Sequence, residues 1–136
     1  MKANMVYYSM TGHTEEMAEI VKEALESKGY EVNVYTDSVD GAEFADADVL
    51  VFGSPATGVE EVEESVVMST IDSIPSFEGK KVFMFGSYGW GGGEFMETWK
   101  ESMESKGAEL AAEPVTCLEG PDDAAKDEIK SAIDSL

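Results

Sequence analysis

Apolar periodicity along this chain switches repeatedly between the alternate-residue pattern of strands and the three-to-four-residue pattern of helices. A chain that does this folds as strands and helices alternating around a parallel sheet. Five such units are readable. The first strand covers about Lys2 to Tyr8 and ends in a turn containing Gly12. Met17, Ile20, Val21, Ala24 and Leu25 then recur as one face of a helix, and Gly29 stands where a left-handed residue closes it. Glu31 to Thr36 alternates like a half-buried strand, expected at or near a sheet edge. Val49 to Phe52 and Val82 to Phe85 are unbroken apolar runs bounded by Gly53 and Gly86, the mark of central strands covered on both faces. Between them Val66, Val67, Thr70, Ile71 and Ile74 have helical spacing despite their β-branched character, and Pro75 ends that helix. Glu94 to Lys106 forms a helix turning Phe95, Met96, Trp99 and Met103 inward, and Leu110 to Leu118 is the fifth strand. The last helix follows Pro121, with Asp122 and Asp123 at its positive end and Ala125, Ile129, Ile133 and Leu136 inside. Val39 to Ala47 reads equally as a loop or a short helix.

At 136 residues the expectation is a single domain spanning residues 1–136. Nine basic residues, all lysine, face twenty-nine acidic ones for a net charge of −20, which argues against nucleic acid as a partner. No apolar run is long enough to span a membrane and no export signal opens the chain, so neither a membrane nor secretion is expected. A lone cysteine, Cys117, excludes an internal disulfide. With only His13 as histidine, the usual Cys/His zinc site cannot be assembled, and a reducing cytoplasmic setting is expected.

In parallel sheets ligands lie beyond the carboxyl ends of the strands, and three segments there have unusual composition. Ser9-Met10-Thr11-Gly12-His13-Thr14 packs three hydroxyls and a glycine between a strand and a helix start. Hydroxyls and free amides at a helix N-terminus suit a phosphate monoester without any cation. A simple cap would need one hydroxyl rather than three. Gly86-Ser87-Tyr88-Gly89-Trp90-Gly91-Gly92-Gly93 holds an aromatic residue on a glycine-rich segment, which can cover one face of a flat aromatic ligand. Ser54-Pro55-Ala56-Thr57-Gly58-Val59-Glu60-Glu61 contains a turn whose Gly58 can adopt positive φ, and the run Glu60, Glu61, Glu63 and Glu64 reads as a solvated face. Nucleotide fingerprints fail: Ile74 stands where a Walker loop before Gly79-Lys80 needs glycine, and Glu94 where a dinucleotide loop needs its third. A phosphatase using Cys and Arg is excluded by the missing arginine, and Cys117 reads as a small core residue.

With Ser9-x-Thr11-Gly12-x-Thr14 after the first strand and Gly86-Ser87-Tyr88-Gly89-Trp90-Gly91 after the fourth, the chain resembles a short-chain flavodoxin over its whole length. The resemblance implies a doubly wound α/β fold, a five-stranded parallel sheet of order 2-1-3-4-5 in a three-layer sandwich. It also implies non-covalently bound flavin mononucleotide (FMN) and a role in shuttling single electrons between proteins. By that resemblance Ser9, Met10, Thr11, Gly12, His13 and Thr14 cradle the phosphate, and Ser54 and Ser87 lie near the ribityl chain. Thr57, Gly58, Val59 and Glu60 form the inner loop, Trp90 stacks outside, and Leu118, Glu119 and Gly120 border the pyrimidine edge. Pro55, Ala56, Tyr88, Gly89, Gly91 and Gly93 complete the implied wall. In the family, the peptide at the position of Gly58 turns its carbonyl toward the reduced ring nitrogen N5. Three positions depart from the family pattern. His13 replaces a common asparagine, Thr57 a bulky inner residue, and Gly92 a common acid.

A flavin carrying its own anionic phosphate inside so negative a chain implies a low reduction potential. It also implies transient, salt-sensitive docking of a monomer with a reductase and an electron acceptor through their basic patches. The alternative is an FMN-dependent reductase acting on a small substrate such as a quinone, although the chain offers no lid or second domain for one. A phospho-acceptor domain on this fold would need an acidic pair after the first strand, where this chain has Tyr8-Ser9.

Overall fold

Strands that are apolar at every position pack only where both faces of their sheet are covered, and the computed structural model arranges the chain in that way. It describes residues 2–9, 12–57, 61–62, 64–88, 94–118 and 121–135; of Ala56, Thr57, Glu61, Val62, Glu64, Ser65, Glu94 and Leu118 it describes the backbone alone. The elements follow in the order β1 (Lys2–Tyr7), α1 (His13–Ser27), β2 (Glu31–Tyr35), α2 (Gly41–Phe44), β3 (Val49–Thr57) and β4 (Glu61–Val62). After a π-helical turn, Glu64–Met68, come α3 (Ser69–Asp72), β5 (Lys81–Tyr88), α4 (Glu94–Ser105), β6 (Glu109–Leu110), β7 (Val115–Leu118) and α5 (Asp123–Asp134).

Pairing is parallel from β2 through β1, β3 and β5, with β6 and β7 sharing the far edge. This is the 2-1-3-4-5 order, its fifth position divided between two short strands. Side-chain alternation divides the core in two. Ala3, Met5, Tyr7, Val49, Val51, Phe83 and Phe85 meet α1 and α5 through Met17, Val21, Leu25, Ile129 and Ile133. Val6, Leu50, Phe52, Val82 and Met84 point the other way, onto Phe44, Val67, Ile71, Phe95, Trp99 and Met103 of α2, α4 and the π/α3 segment. The ambiguous stretch around Val39 resolves as α2, begun by Asp40, whose side chain accepts the amides of Ala42 and Glu43.

Four boundaries differ from the sequence expectation, each for a physical reason. β3 continues through Gly53 to Thr57 and β5 through Gly86 to Tyr88, because these glycines allow close approach rather than ending strands. A Cβ on Gly53 would lie 2.3 Å from the Phe85 ring, and one on Gly86 would lie 2.5 Å from the Ser54 carbonyl oxygen. The fifth strand divides because four residues, 111–114, stand opposite Phe83 and Met84 between the Val82↔Leu110 and Phe85↔Val115 pairs. The helix over Val66 to Ile74 contains the π turn. Its Thr70 hydroxyl donates to the Val66 carbonyl at 2.8 Å and accepts the Val39 amide at 3.0 Å. Finally, β4 adds an antiparallel pair to β3, Ala56 opposite Val62 and Thr57 opposite Glu61.

A buried polar side chain links three elements of this frame. Asn4, 1% exposed, donates to the Phe44 carbonyl at 2.8 Å and accepts from Asn33 at 3.1 Å, tying β1 to β2 and α2. Replacing Asn4 with alanine strands a buried carbonyl, so a loss of about 2 kcal/mol is expected in urea denaturation of the apoprotein. A loss under about 0.5 kcal/mol would show that water satisfies Phe44 instead.

Candidate functional site

At the carboxyl edge of the sheet the register brings three of the singled-out segments side by side. Tyr7 pairs with Gly53, Ser54 with Gly86, Pro55 with Ser87, and Ser87 with Cys117. Ser54 and Ser87 therefore sit about one rung apart on adjacent central strands, both buried, and the Ser54 hydroxyl donates to the Pro55 carbonyl at 2.8 Å. Tyr88 pairs with the backbone of Leu118 at the outer edge.

From β1 the chain enters α1 through a left-handed glycine. Gly12, at φ 92°, is the N-cap and offers no side chain to close the helix. A Cβ there would meet open space but a strained backbone. Ser9 replaces the missing cap from outside, its Oγ accepting the Gly12 amide at 3.1 Å and the Glu15 amide at 3.3 Å. Among the described residues nothing accepts the amides between them, those of His13 and Thr14. They stand at the positive end of a fifteen-residue helix. His13 is half-buried at the first helical position. Thr14 is 1% exposed, and its hydroxyl lies 2.7 Å from that of Ser87, 4% exposed.

The donor set is thus neutral: hydroxyls of Ser9, Thr14, Ser54 and Ser87, and helix amides. Such a set fits the phosphate and the polyol of FMN. The glycine cap lets a ligand oxygen approach backbone that any side chain would screen. Acidic side chains stand nearby, Glu15 and Glu16 in the first turn of α1 and Asp122 and Asp123 opening α5. Asp122 is that helix's cap, accepting the Ala125 amide at 2.8 Å. Burial, then the charges of Glu15 and Glu19, raises the Tyr7 phenol above its ordinary pKa. Burial, with Asp122 and Glu16, pushes the Cys117 thiol up to about 11, and its Sγ lies 3.3 Å from Met17 Sδ. Cys117 is therefore a neutral packing residue at pH 7, as its sequence setting suggests.

Of the residues singled out from sequence, Ser9, Gly12, His13, Thr14, Ser54, Pro55, Ser87 and Tyr88 are placed on this edge, as are the backbones of Ala56, Thr57 and Leu118. Met10, Thr11, Gly58, Val59, Glu60, Gly89, Trp90, Gly91, Gly93, Glu119 and Gly120 lie outside the described residues. Sequence reasoning missed the Thr14–Ser87 contact. The partners are 73 positions apart, and only the strand order brings them together. No helix among the described residues is long and apolar enough to cross a membrane.

Comparison with known proteins identifies the family. The sequence model of the family described as Flavodoxin matches residues 5–135. The chain is 42% identical to the flavodoxin of Megasphaera elsdenii over 122 residues, 88% of either chain. It is 38% identical to that of Clostridium beijerinckii over 125 residues, 90% of this chain and 91% of the other. The solution structure of two-electron reduced M. elsdenii flavodoxin superposes with a TM-score of 0.85, covering 97% of this chain and 98% of that one. Nothing in these likenesses favours a small-substrate reductase. The chain belongs to the flavodoxin family, FMN-binding electron-transfer proteins that hand electrons to and from other redox proteins and are not themselves enzymes.

Proposed function

We propose that this chain, one domain over residues 1–136, carries single electrons at low potential as a cytoplasmic monomer. FMN, when bound, supplies the redox chemistry, and the protein's residues set where it sits and what charge surrounds it. In this reading Ser9, Met10, Thr11, Gly12, His13 and Thr14 hold the phosphate. Ser54, Pro55, Ala56, Ser87 and Tyr88 wall the ribityl side, Thr57, Gly58, Val59 and Glu60 border the inner face of the ring, and Gly89, Trp90, Gly91 and Gly93 its outer face. Leu118, Glu119 and Gly120 bound the pyrimidine edge. The observation that carries the reading is the neutral cup of buried hydroxyls beside a helix start without a side-chain cap.

The acidic groups around this edge give it a second property. Glu15, Glu16, Asp122 and Asp123 ring the cup, so partners are expected to dock through basic patches in a transient complex that weakens with salt. Titrating the apoprotein with FMN should give one site per chain with strong quenching of flavin fluorescence. Trp90→Ala should weaken binding about tenfold or more, by the scale of aromatic stacking on a flat ring, and should relieve the quenching. Absence of binding by the unaltered protein would overturn the assignment of the cup. Unchanged affinity in Trp90→Ala would remove the stacking role.

A further inference from the structure

The hydroxyls of Thr14 and Ser87 lie 2.7 Å apart, both almost wholly buried, one in the first turn of α1 and the other near the end of β5. Each hydroxyl has one proton to give. One of the two protons is used between the oxygens, so the pair is left with one O–H that finds no acceptor among the described residues. A buried donor without an acceptor is unfavourable, and an anion at the α1 N-terminus would relieve it. The amides of His13 and Thr14 face that same position, at the positive end of the helix.

We infer that the two hydroxyls act as one polarised donor: Ser87 donates to Thr14 Oγ1, and Thr14 donates its own proton to the phosphate. Ser87, on the wall of the ribityl side, is then also a positioning residue for phosphate recognition, its hydroxyl proton going to Thr14. Hydrogen bonds in series polarise one another, so donation from Ser87 strengthens Thr14 as a donor. This matters in a chain that has no arginine and a net charge of −20, whose overall field opposes the approach of a phosphate. The contact also joins the two segments of the cup that are farthest apart in sequence. The inference rests on the proposed phosphate site and assigns a route to one of its donors.

The experiment compares FMN with riboflavin, which lacks the phosphate, by fluorescence titration of the apoproteins. The unaltered protein should prefer FMN. Ser87→Ala should lose about tenfold more affinity for FMN than for riboflavin, the size expected when a charge-assisted donor is weakened. Thr14→Val should lose at least as much. The double variant should be no worse than Thr14→Val alone, and Thr14→Ser, which keeps the hydroxyl, should retain the preference. Equal losses for both flavins in Ser87→Ala would place Ser87 directly on the ribityl chain or ring and overturn the inference. Multiplicative losses in the double variant would overturn it as well. Failure of the unaltered protein to distinguish the two flavins would instead overturn the phosphate site itself. Circular dichroism of each apoprotein separates these outcomes from misfolding, and Thr14→Ser supplies the relay test if Thr14→Val does not fold.

Discussion

Gly86→Ala is expected to lower apoprotein stability by about 3 kcal/mol and to reduce FMN affinity below detection in a micromolar titration. The Cβ would stand 2.5 Å from the Ser54 carbonyl oxygen and 2.8 Å from the tip of the Phe95 ring. A ring tip can rotate away, but the carbonyl belongs to the neighbouring central strand, where Ser54 pairs with Gly86 itself. Relief therefore requires β3 and β5 to separate at the rung that carries Ser54 and sits beside Ser87. The same displacement that costs stability thus opens the cup. In thermal melts the change should appear as a fall of about 10 °C. Gly29→Ala is the matched control. Gly29 has φ +91° with nothing within 4 Å of the added carbon, so only backbone strain of about 1 kcal/mol is expected, with FMN affinity intact. Retention of normal affinity in Gly86→Ala would mean that the rung is not part of the cofactor wall.

The contrast between these glycines also explains what could be read from sequence. The element types were legible because both helical and strand periods are strong. Met17, Val21 and Leu25 on α1 and Ile129 and Ile133 on α5 are buried at the positions their spacing marks. The unbroken runs at Val49–Phe52 and Val82–Phe85 announce two covered faces, and the alternation of Phe83 and Phe85 against Val82 and Met84 realises it. Gly29 behaves as a terminator of α1, whereas Gly53 and Gly86 look the same in sequence and lie within strands. The difference is a neighbour, Phe85 in one case and Ser54 in the other, supplied by a strand far along the chain. Local pattern carries no such information, so β3 and β5 extend further than the pattern suggests.

The cup follows the same division. Ser9, Gly12 and Thr14 stand out locally, since three hydroxyls and a glycine before a helix exceed what capping needs. Their geometry was not local. Ser9 is occupied with the amides of Gly12 and Glu15, while Thr14 turns to Ser87. The π turn at Glu64–Met68 and the divided edge of β6 and β7 were equally out of reach, because each is an insertion measured against a partner strand or helix.

Raising the salt concentration from about 0.01 to 1 M should raise the midpoint potential for the second electron by tens of millivolts, up to the order of 100 mV. Glu15, Glu16, Asp122 and Asp123 lie at the carboxyl edge. Lys2 and Lys81 begin β1 and β5, and Lys80 donates to the Ala47 carbonyl. Lys28 reaches the carbonyls of Ile133 and Asp134 at the end of α5, and Lys106 pairs with Asp72 at 3.3 Å beyond α4. These five of the nine lysines are thus a sheet's length away from the cup, farther than the four carboxylates, and offset only part of the acidic field there. One carboxylate about 10 Å from an added electron opposes it by roughly 0.8 kcal/mol at an effective dielectric near 40. Four such groups act together at low salt, when the screening length is about 30 Å, and hardly at all at 1 M, when it is about 3 Å. The sign follows: screening removes repulsion, reduction becomes easier, and the potential rises. Charge reversal should mimic it, so Asp123→Lys is expected to raise the low-salt potential and flatten its salt dependence. A potential indifferent to both salt and Asp123→Lys would place control of the couple in contacts to the ring rather than in the field of the acidic edge.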